Sequence, residues 1–246
     1  MFTARQFLTA AVTLMFLGCA GNGSDEAMEN QAATDPWAPL ARYLDERIGE
    51  FDQIDTERRS ELDALASFVE DARDTGVARL TFICTHNSRR SHFGQVWAQV
   101  AAHHFGLDSL VETYSGGTEI TAFNERAVGA LRRAGLDIHP AAISDNPRYA
   151  VHHAEDRAPM ICYSKKYDDA EANPTSGFAA VMTCDQADRG CPIVYGAVGR
   201  FSTPYIDPKV SDGTGEERDV YDARCAQIAR EMLYVMSRVD GGGADS

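Results

Sequence analysis

The run Cys84-Thr85-His86-Asn87-Ser88-Arg89-Arg90-Ser91 sets a thiol and a guanidinium six residues apart. A free cysteine has a pKa of about 8.5, and a helix N-terminus or a nearby cation favours its thiolate. Such a thiolate can attack phosphorus or arsenic in line with a leaving oxygen. Arg90 can grip two equatorial oxygens in a bidentate fork, which a lysine cannot. Amides of the loop residues Thr85, His86, Asn87, Ser88, Arg89 and Arg90 can hold the remaining oxygens. Ser91 can donate a hydrogen bond to the sulfur, and Asn87 tolerates the positive φ of a tight loop. The competing reading of Cys84 is a buried structural cysteine at a strand end. The polar run directly after it fits that reading poorly.

This chemistry needs a strand to deliver the cysteine and a helix to receive the arginine. Val77 to Ile83 is apolar and β-prone, and Phe93, Val96, Trp97, Val100 and Phe105 follow at helical spacing. Strand, tight loop and helix make amides converge on an anion. A strand at 110–115 then leads to Ser115-Gly116-Gly117-Thr118, and a helix over 123–134 ends near Gly135. Runs at 158–163 and 178–183 are the next strand candidates, and the last helix covers 216–238. Strands alternating with helices imply an α/β fold. Residues 164–177 read as an inserted loop, with Lys165-Lys166 as a solvated turn, the alternative being an extension of a basic rim. Residues 37–76 read as a helical extension with Leu62, Leu65, Ala66, Phe68 and Val69 on one face, closed by Gly76. Its expected role is packing against the domain.

Cys84 to Ser91 resembles the phosphate loop of the low-molecular-weight protein tyrosine phosphatase superfamily. Tyr114 to Thr118 is similar to the small-residue segment after that family's second strand. Asn124-Glu125-Arg126-Ala127 and Gly135-Leu136-Asp137-Ile138 are similar to its next helix and turn. The resemblance covers about residues 77–238, least clearly at 145–178. It implies a four-stranded parallel sheet with helices on both faces and the loop at the carboxyl ends of the strands. Four positions depart from the pattern: His86 replaces a usual Gly, Arg89 a Cys or small residue, and Lys209-Val210 a tandem tyrosine.

Cys184-Asp185-Gln186-Ala187-Asp188-Arg189-Gly190-Cys191-Pro192 is similar to the redox segment of the thioredoxin-coupled arsenate reductases in that superfamily. The resemblance implies that Cys184 and Cys191 pass the disulfide outward from Cys84 to where a thioredoxin-like protein reduces it and so supplies the electrons, with no bound cofactor and no metal. Asp188-Arg189-Gly190 is polar and expected to move. A static Cys184–Cys191 disulfide is the other reading. Asp207-Pro208 matches the family's general-acid pair, which protonates a leaving oxygen; a turn-forming Asp-Pro is its bland counterpart. Cys162 and Cys225 sit in apolar runs and read as core. His103-His104 and His152-His153 read as helix-end or surface residues.

The leading functional reading is an arsenate reductase-like enzyme, with Cys84, Arg90, Ser91, Asp207, Cys184 and Cys191 in its machinery. The second is a phosphatase of phosphotyrosine or a small phosphate ester. The third is a non-catalytic oxyanion-binding lipoprotein. The chain of 246 residues carries a net charge of −14 and no basic block, which argues against a nucleic-acid partner. Its partners are a small oxyanion and a thioredoxin-like reductant, and it is expected to act as a monomer. Residues 1–19 read as a lipoprotein-type signal ending in Phe16-Leu17-Gly18-Cys19, too short to span a bilayer. Cys19 would carry the lipid, residues 20–36 form a disordered linker, and residues 239–246 a flexible tail. A plain secretory signal or an uncleaved anchor is the alternative. Export would place the protein on the membrane of an oxidising compartment, so either the signal is misread, or an extracytoplasmic reductant serves the enzyme, or the three cysteines have another job.

Overall fold

In the computed structural model, residues 35–142, 144–190 and 193–239 are described. The signal, nearly all of the linker, most of the tail, Cys19 and Cys191 lie outside them. Chain contacts separate Met1–Asp35 from the unit Pro36–Ser246.

The central strand is β1 (Ala78–Cys84), flanked by β2 (Val111–Gly117) and β6 (Phe178–Met182), with β7 (Ala197–Ser202) at the far edge. All three pairings are parallel, and the register sets Cys84 opposite Gly117 and Ile83 opposite Met182. Period-two alternation divides the strands between two cores. Leu80, Phe82, Ala179 and Val181 face the larger core, built with α3 (Arg90–His104) and α6 (Glu217–Ser237). Ile83, Phe178, Ala180 and Met182 face a smaller one, closed by Val194, Tyr167 and the six-residue helix α5 (Asp185–Gly190). Helices therefore lie on both faces of the sheet, but unequally.

The four-stranded parallel sheet matches expectation; the identity of its fourth strand does not. The 158–163 run becomes β5 (Met160–Cys162), which joins a separate antiparallel sheet with β3 (Asp137–Ala142) and β4 (Arg148–His152). The edge place goes to Ala197–Ser202, whose alternating half-buried and exposed residues carry a weak apolar signal. The helix after β2 is α4 (Glu125–Arg133), capped by the Asn124 side chain on the Arg126 amide at 3.0 Å.

The N-terminal extension is two helices rather than a continuous one. Helix α1 (Ala38–Ile48) ends at Gly49, and α2 (Thr56–Asp71) starts afresh on the Asp55 cap. Leu40, Leu44, Leu62, Leu65 and Val69 are buried in the larger core. Phe68 is partly buried and stacks edge-on against Phe201 of β7 at 5.5 Å.

Candidate active site

Cys84 ends β1, and Arg90 begins α3, so strand and helix fix the two ends of the loop. The structure brings Cys84, Ser91 and Asn87 together in one buried chain. The Asn87 Nδ2 donates to Ser91 Oγ at 2.9 Å, and Ser91 Oγ lies 3.1 Å from Cys84 Sγ. An amide nitrogen can only donate, so the Ser91 hydroxyl proton is left for the sulfur. That proton points at the atom that would act as the nucleophile. Asn87 holds φ at +43°, the only non-glycine residue with positive φ among the described residues.

The loop's carbonyls are bonded outward. Thr118 and Glu119 amides donate to Cys84 O and Thr85 O at 3.3 and 2.8 Å. Thr121 and Ser164 hydroxyls donate to His86 O at 3.1 and 2.9 Å. The Asn124 amide takes Ser88 O at 3.0 Å, and Phe93 takes Arg89 O at 2.9 Å. Among the described residues no hydrogen bond claims the amides of His86, Ser88 or Arg89. With the carbonyls of Cys84, Thr85, His86, Ser88 and Arg89 turned away, the concave side is left largely to N–H donors, the polarity an oxyanion needs.

Two glycines make this possible. A Cβ on Gly117 would sit 2.7 Å from the Asn87 nitrogen and 2.8 Å from Thr85 O. A Cβ on Gly116 would meet the Tyr167 backbone at 2.2 Å. The Ser115 to Thr118 segment is small because the loop and its backing both pass against it.

That backing is the stretch read as an inserted loop. Ser164 supports His86, the Lys165 amide donates to Asn87 Oδ1 at 2.9 Å, and Gly117 and Lys165–Tyr167 exchange backbone bonds. Asn173 Nδ2 ties it to Ser115 O at 3.1 Å. Lys165 is therefore no solvated turn: it is 4% exposed, and burial pulls its pKa down. Its backbone is required behind the loop, so its side chain folds over Tyr163, with Nζ 4.9 Å from the ring centre.

His92, one residue past Ser91, carried no motif signal. It is fully buried and stacks on Phe123 at 3.9 Å. Ser115 Oγ donates to Gln95 at 2.7 Å, so it accepts from His92 Nδ1 at 3.3 Å. Burial, then the nearby Lys165 charge, hold His92 well below the ordinary histidine range, so it is neutral.

Arg90 donates Nη2 to Asp207 Oδ2 at 2.7 Å and Nη1 to Tyr205 O at 3.0 Å. Its Nε is buried without a partner, a donor that an oxyanion would satisfy. Arg89 approaches Asp207 at 3.8 Å and Asp212 at 3.7 Å, and its Nε donates to Tyr221 OH at 2.8 Å. Asp207 thus sits between two arginines, with a cavity of about 500 Å³ on the Arg89 and Lys209 side. A cavity of about 550 Å³ on the other side is lined by Arg90, Cys184, Arg189, Tyr205 and Asp207. His86 reaches outward to Glu119 at 3.4 Å, and Thr85 Oγ1 lies 3.7 Å from Cys184 Sγ.

Cys184 follows β6, on the strand next to the one that delivers Cys84. It is buried, and the Ala187 amide donates to its sulfur at 3.3 Å. The four described cysteines are free thiols. Asp188-Arg189-Gly190 ends helix α5, and Arg200 and Ser202 of β7 hold the Asp188 carboxylate at 2.5 and 3.1 Å. The polar segment expected to move is here a short helix whose Asp188 carboxylate is held by β7. Cys162 and Cys225 are core residues whose thiols burial pushes up to about 12. His153 is a second correction, being 6% exposed rather than a surface residue.

A thiol with a serine proton aimed at it, amides facing one hollow and an arginine beside them are the parts that a cysteine nucleophile acting on an oxyanion requires. The model of the low molecular weight phosphotyrosine protein phosphatase family matches residues 79–150. An arsenate reductase of Bacillus licheniformis is 28% identical over 152 residues, covering 62% of this chain and 89% of its own length. An arsenate reductase of Staphylococcus aureus is 37% identical over 68 residues, 26% of this chain and 47% of that one. A low-molecular-weight protein tyrosine phosphatase structure from T. tengcongensis has a TM-score of 0.43 at 16% identity, covering 65% of this chain and 98% of that one. The chain is an enzyme similar to both the low-molecular-weight phosphatases and the arsenate reductases.

Proposed function

We propose that the protein reduces arsenate by a three-cysteine relay. The carrying observation is Cys184, a free buried thiol that touches the Cys84 loop through Thr85 Oγ1 at 3.7 Å. Ester hydrolysis has no use for that thiol. In the first step the Cys84 thiolate forms an S–As bond and expels one arsenate oxygen. Asp207 gives that oxygen a proton so that it leaves as water. Arg90 and the loop amides hold the other oxygens. Cys184 then attacks Cys84 Sγ; an S–S bond forms, the S–As bond breaks, and its electron pair leaves on arsenic as arsenite. Attack by Cys191 on Cys184 frees Cys84 and leaves the Cys184–Cys191 disulfide for a dithiol protein to reduce. Each disulfide requires Cα atoms within about 7 Å. Asp207, now paired with Arg90, must turn toward the oxyanion once Arg90 takes up its oxygens. The signal at residues 1–19, with Cys19 as the lipidated residue, supports an exported, membrane-anchored enzyme with an extracytoplasmic reductant.

The test is steady-state turnover of the purified protein with arsenate, thioredoxin, thioredoxin reductase and NADPH, beside 4-nitrophenyl phosphate. NADPH consumption that requires arsenate, Cys84 and Cys191 supports the relay. Hydrolysis of the phosphate ester alone makes the protein a phosphatase. Neither activity leaves an oxyanion-binding lipoprotein.

A further inference from the structure

We propose that the N-terminal helical extension is a working part of the site, and that Arg58 is a positioning residue for Arg90 and Asp207. This rests on Arg90 and Asp207 serving the oxyanion as described above. Arg58 stands in the first turn of α2, where the Asp55 side chain caps its amide at 2.8 Å. Its Nε donates to Glu231 Oε2 at 2.9 Å, and its Nη2 lies 2.7 Å from the same oxygen. Glu231 is on α6 and 2% exposed. That oxygen also accepts from Tyr205 OH at 2.8 Å, and the Arg58 guanidinium covers the Tyr205 ring at 4.9 Å. Tyr205 O accepts from Arg90, two residues before Asp207. A continuous chain therefore runs from the extension through Glu231 and Tyr205 to the guanidinium that faces the anion.

Each link is one that burial makes hard to do without. Glu231 is a carboxylate in the core, and Arg58 is the cation that pairs with it at 2.7 Å. Gln227 Nε2 takes the other Glu231 oxygen at 3.0 Å, so no water is needed to complete it. Without Arg58, the carboxylate and the Tyr205 hydroxyl must find another arrangement. The Tyr205 carbonyl then stops fixing Arg90. The family match begins at residue 79, after α2, so this brace lies outside the matched segment.

The experiment uses the full-length chain and reads two quantities. One is protection of Cys84 from iodoacetate by inorganic phosphate, which gives a dissociation constant without turnover. The other is kcat on 4-nitrophenyl phosphate against phenyl phosphate, which differ in how much the leaving oxygen needs an acid. Arg58→Met and Tyr205→Phe are each expected to weaken phosphate about tenfold, the double variant no further. The phenyl phosphate rate should fall more than the 4-nitrophenyl phosphate rate. Arg230→Met cuts another tie between α6 and the extension, to Glu50 and Gln53, and should leave phosphate affinity within about twofold. Wild-type affinity in folded Arg58→Met and Tyr205→Phe overturns the proposal. So does an equal loss in Arg230→Met, or a wild-type protein that phosphate does not protect. If Arg58→Met fails to fold, Tyr205→Phe decides alone. Arg58-dependent phosphate binding without any turnover overturns the enzymatic reading and leaves the brace standing.

Discussion

The two cysteine regions of this site are built in opposite ways. The Cys84 loop is held from three sides: by the end of β2, by the 118–124 segment and by the 164–173 segment. The Cys184 region rests on the smaller core, under a six-residue helix, and continues into exposed Ile193, Tyr195 and Ile206. A nucleophile that must meet a small anion gains from a fixed ring of donors. A thiol that must travel from one disulfide partner to the next gains from shallow packing. Fixed and adaptable halves meet at Asp207, which both loop arginines hold.

The largest effect should separate the halves by chemistry. Cys84→Ser removes the nucleophile of either reaction and should cut turnover by roughly a thousandfold or more in both assays. Cys184→Ser should stop multiple-turnover arsenate reduction yet leave 4-nitrophenyl phosphate hydrolysis within about twofold. Loss of both activities in Cys184→Ser would mean that the second thiol belongs to the fixed half, and the contrast would fail.

A smaller effect tests how firmly the loop is held. Asn87→Ala deletes the bonds to Ser91 and Lys165 and puts a plain side chain at φ +43°. Two buried polar partners left unpaired, plus the strained backbone, should cost about 3–4 kcal/mol in urea unfolding. Catalytic efficiency should fall further than stability explains, because the Ser91 proton is no longer aimed at the sulfur. A variant with full activity would show that the loop does not depend on Asn87.

The sequence made the fixed half legible, because a strand, a polar cysteine loop and a helix are local and adjacent. Even there the backing was missed. Ser164, Lys165 and Asn173 are polar residues in a turn-rich stretch, and they support the loop through single hydrogen bonds that leave no periodic trace. His92 was equally silent, since a neutral buried histidine looks like any other in a chain of letters. The edge strand β7 failed for another reason: Ala197-Val198-Gly199-Arg200-Phe201-Ser202 alternates but includes a glycine and an arginine. Pro140 hid the β3–β4 hairpin, which accommodates it at a register shift. The extension showed its apolar face, but nothing in the Arg58 to Glu231 separation marks an ion pair.

The mildest prediction concerns acid, and it tells the fixed loop apart from the fold around it. Burial, and then the neighbouring His103, press His153 down from the ordinary 6.5 to about 4. His103 faces it edge-on at 5.4 Å, while Asp108 binds His103 at 2.9 Å and Arg157 at 3.1 Å. Both His153 ring nitrogens are buried without partners, so the folded protein keeps the ring neutral. The unfolded chain binds a proton there first as pH falls. Stability from this group is therefore full above about pH 6.5 and is lost on the way down to about 4, at most about 3 kcal/mol. His153→Phe should flatten that part of the stability curve in urea titrations between pH 4 and 7. His92, pressed down in the same direction beneath the loop, contributes to the slope that remains. An unchanged slope in His153→Phe would assign the acid sensitivity to His92, and with it to the loop that looks the more secure of the two regions.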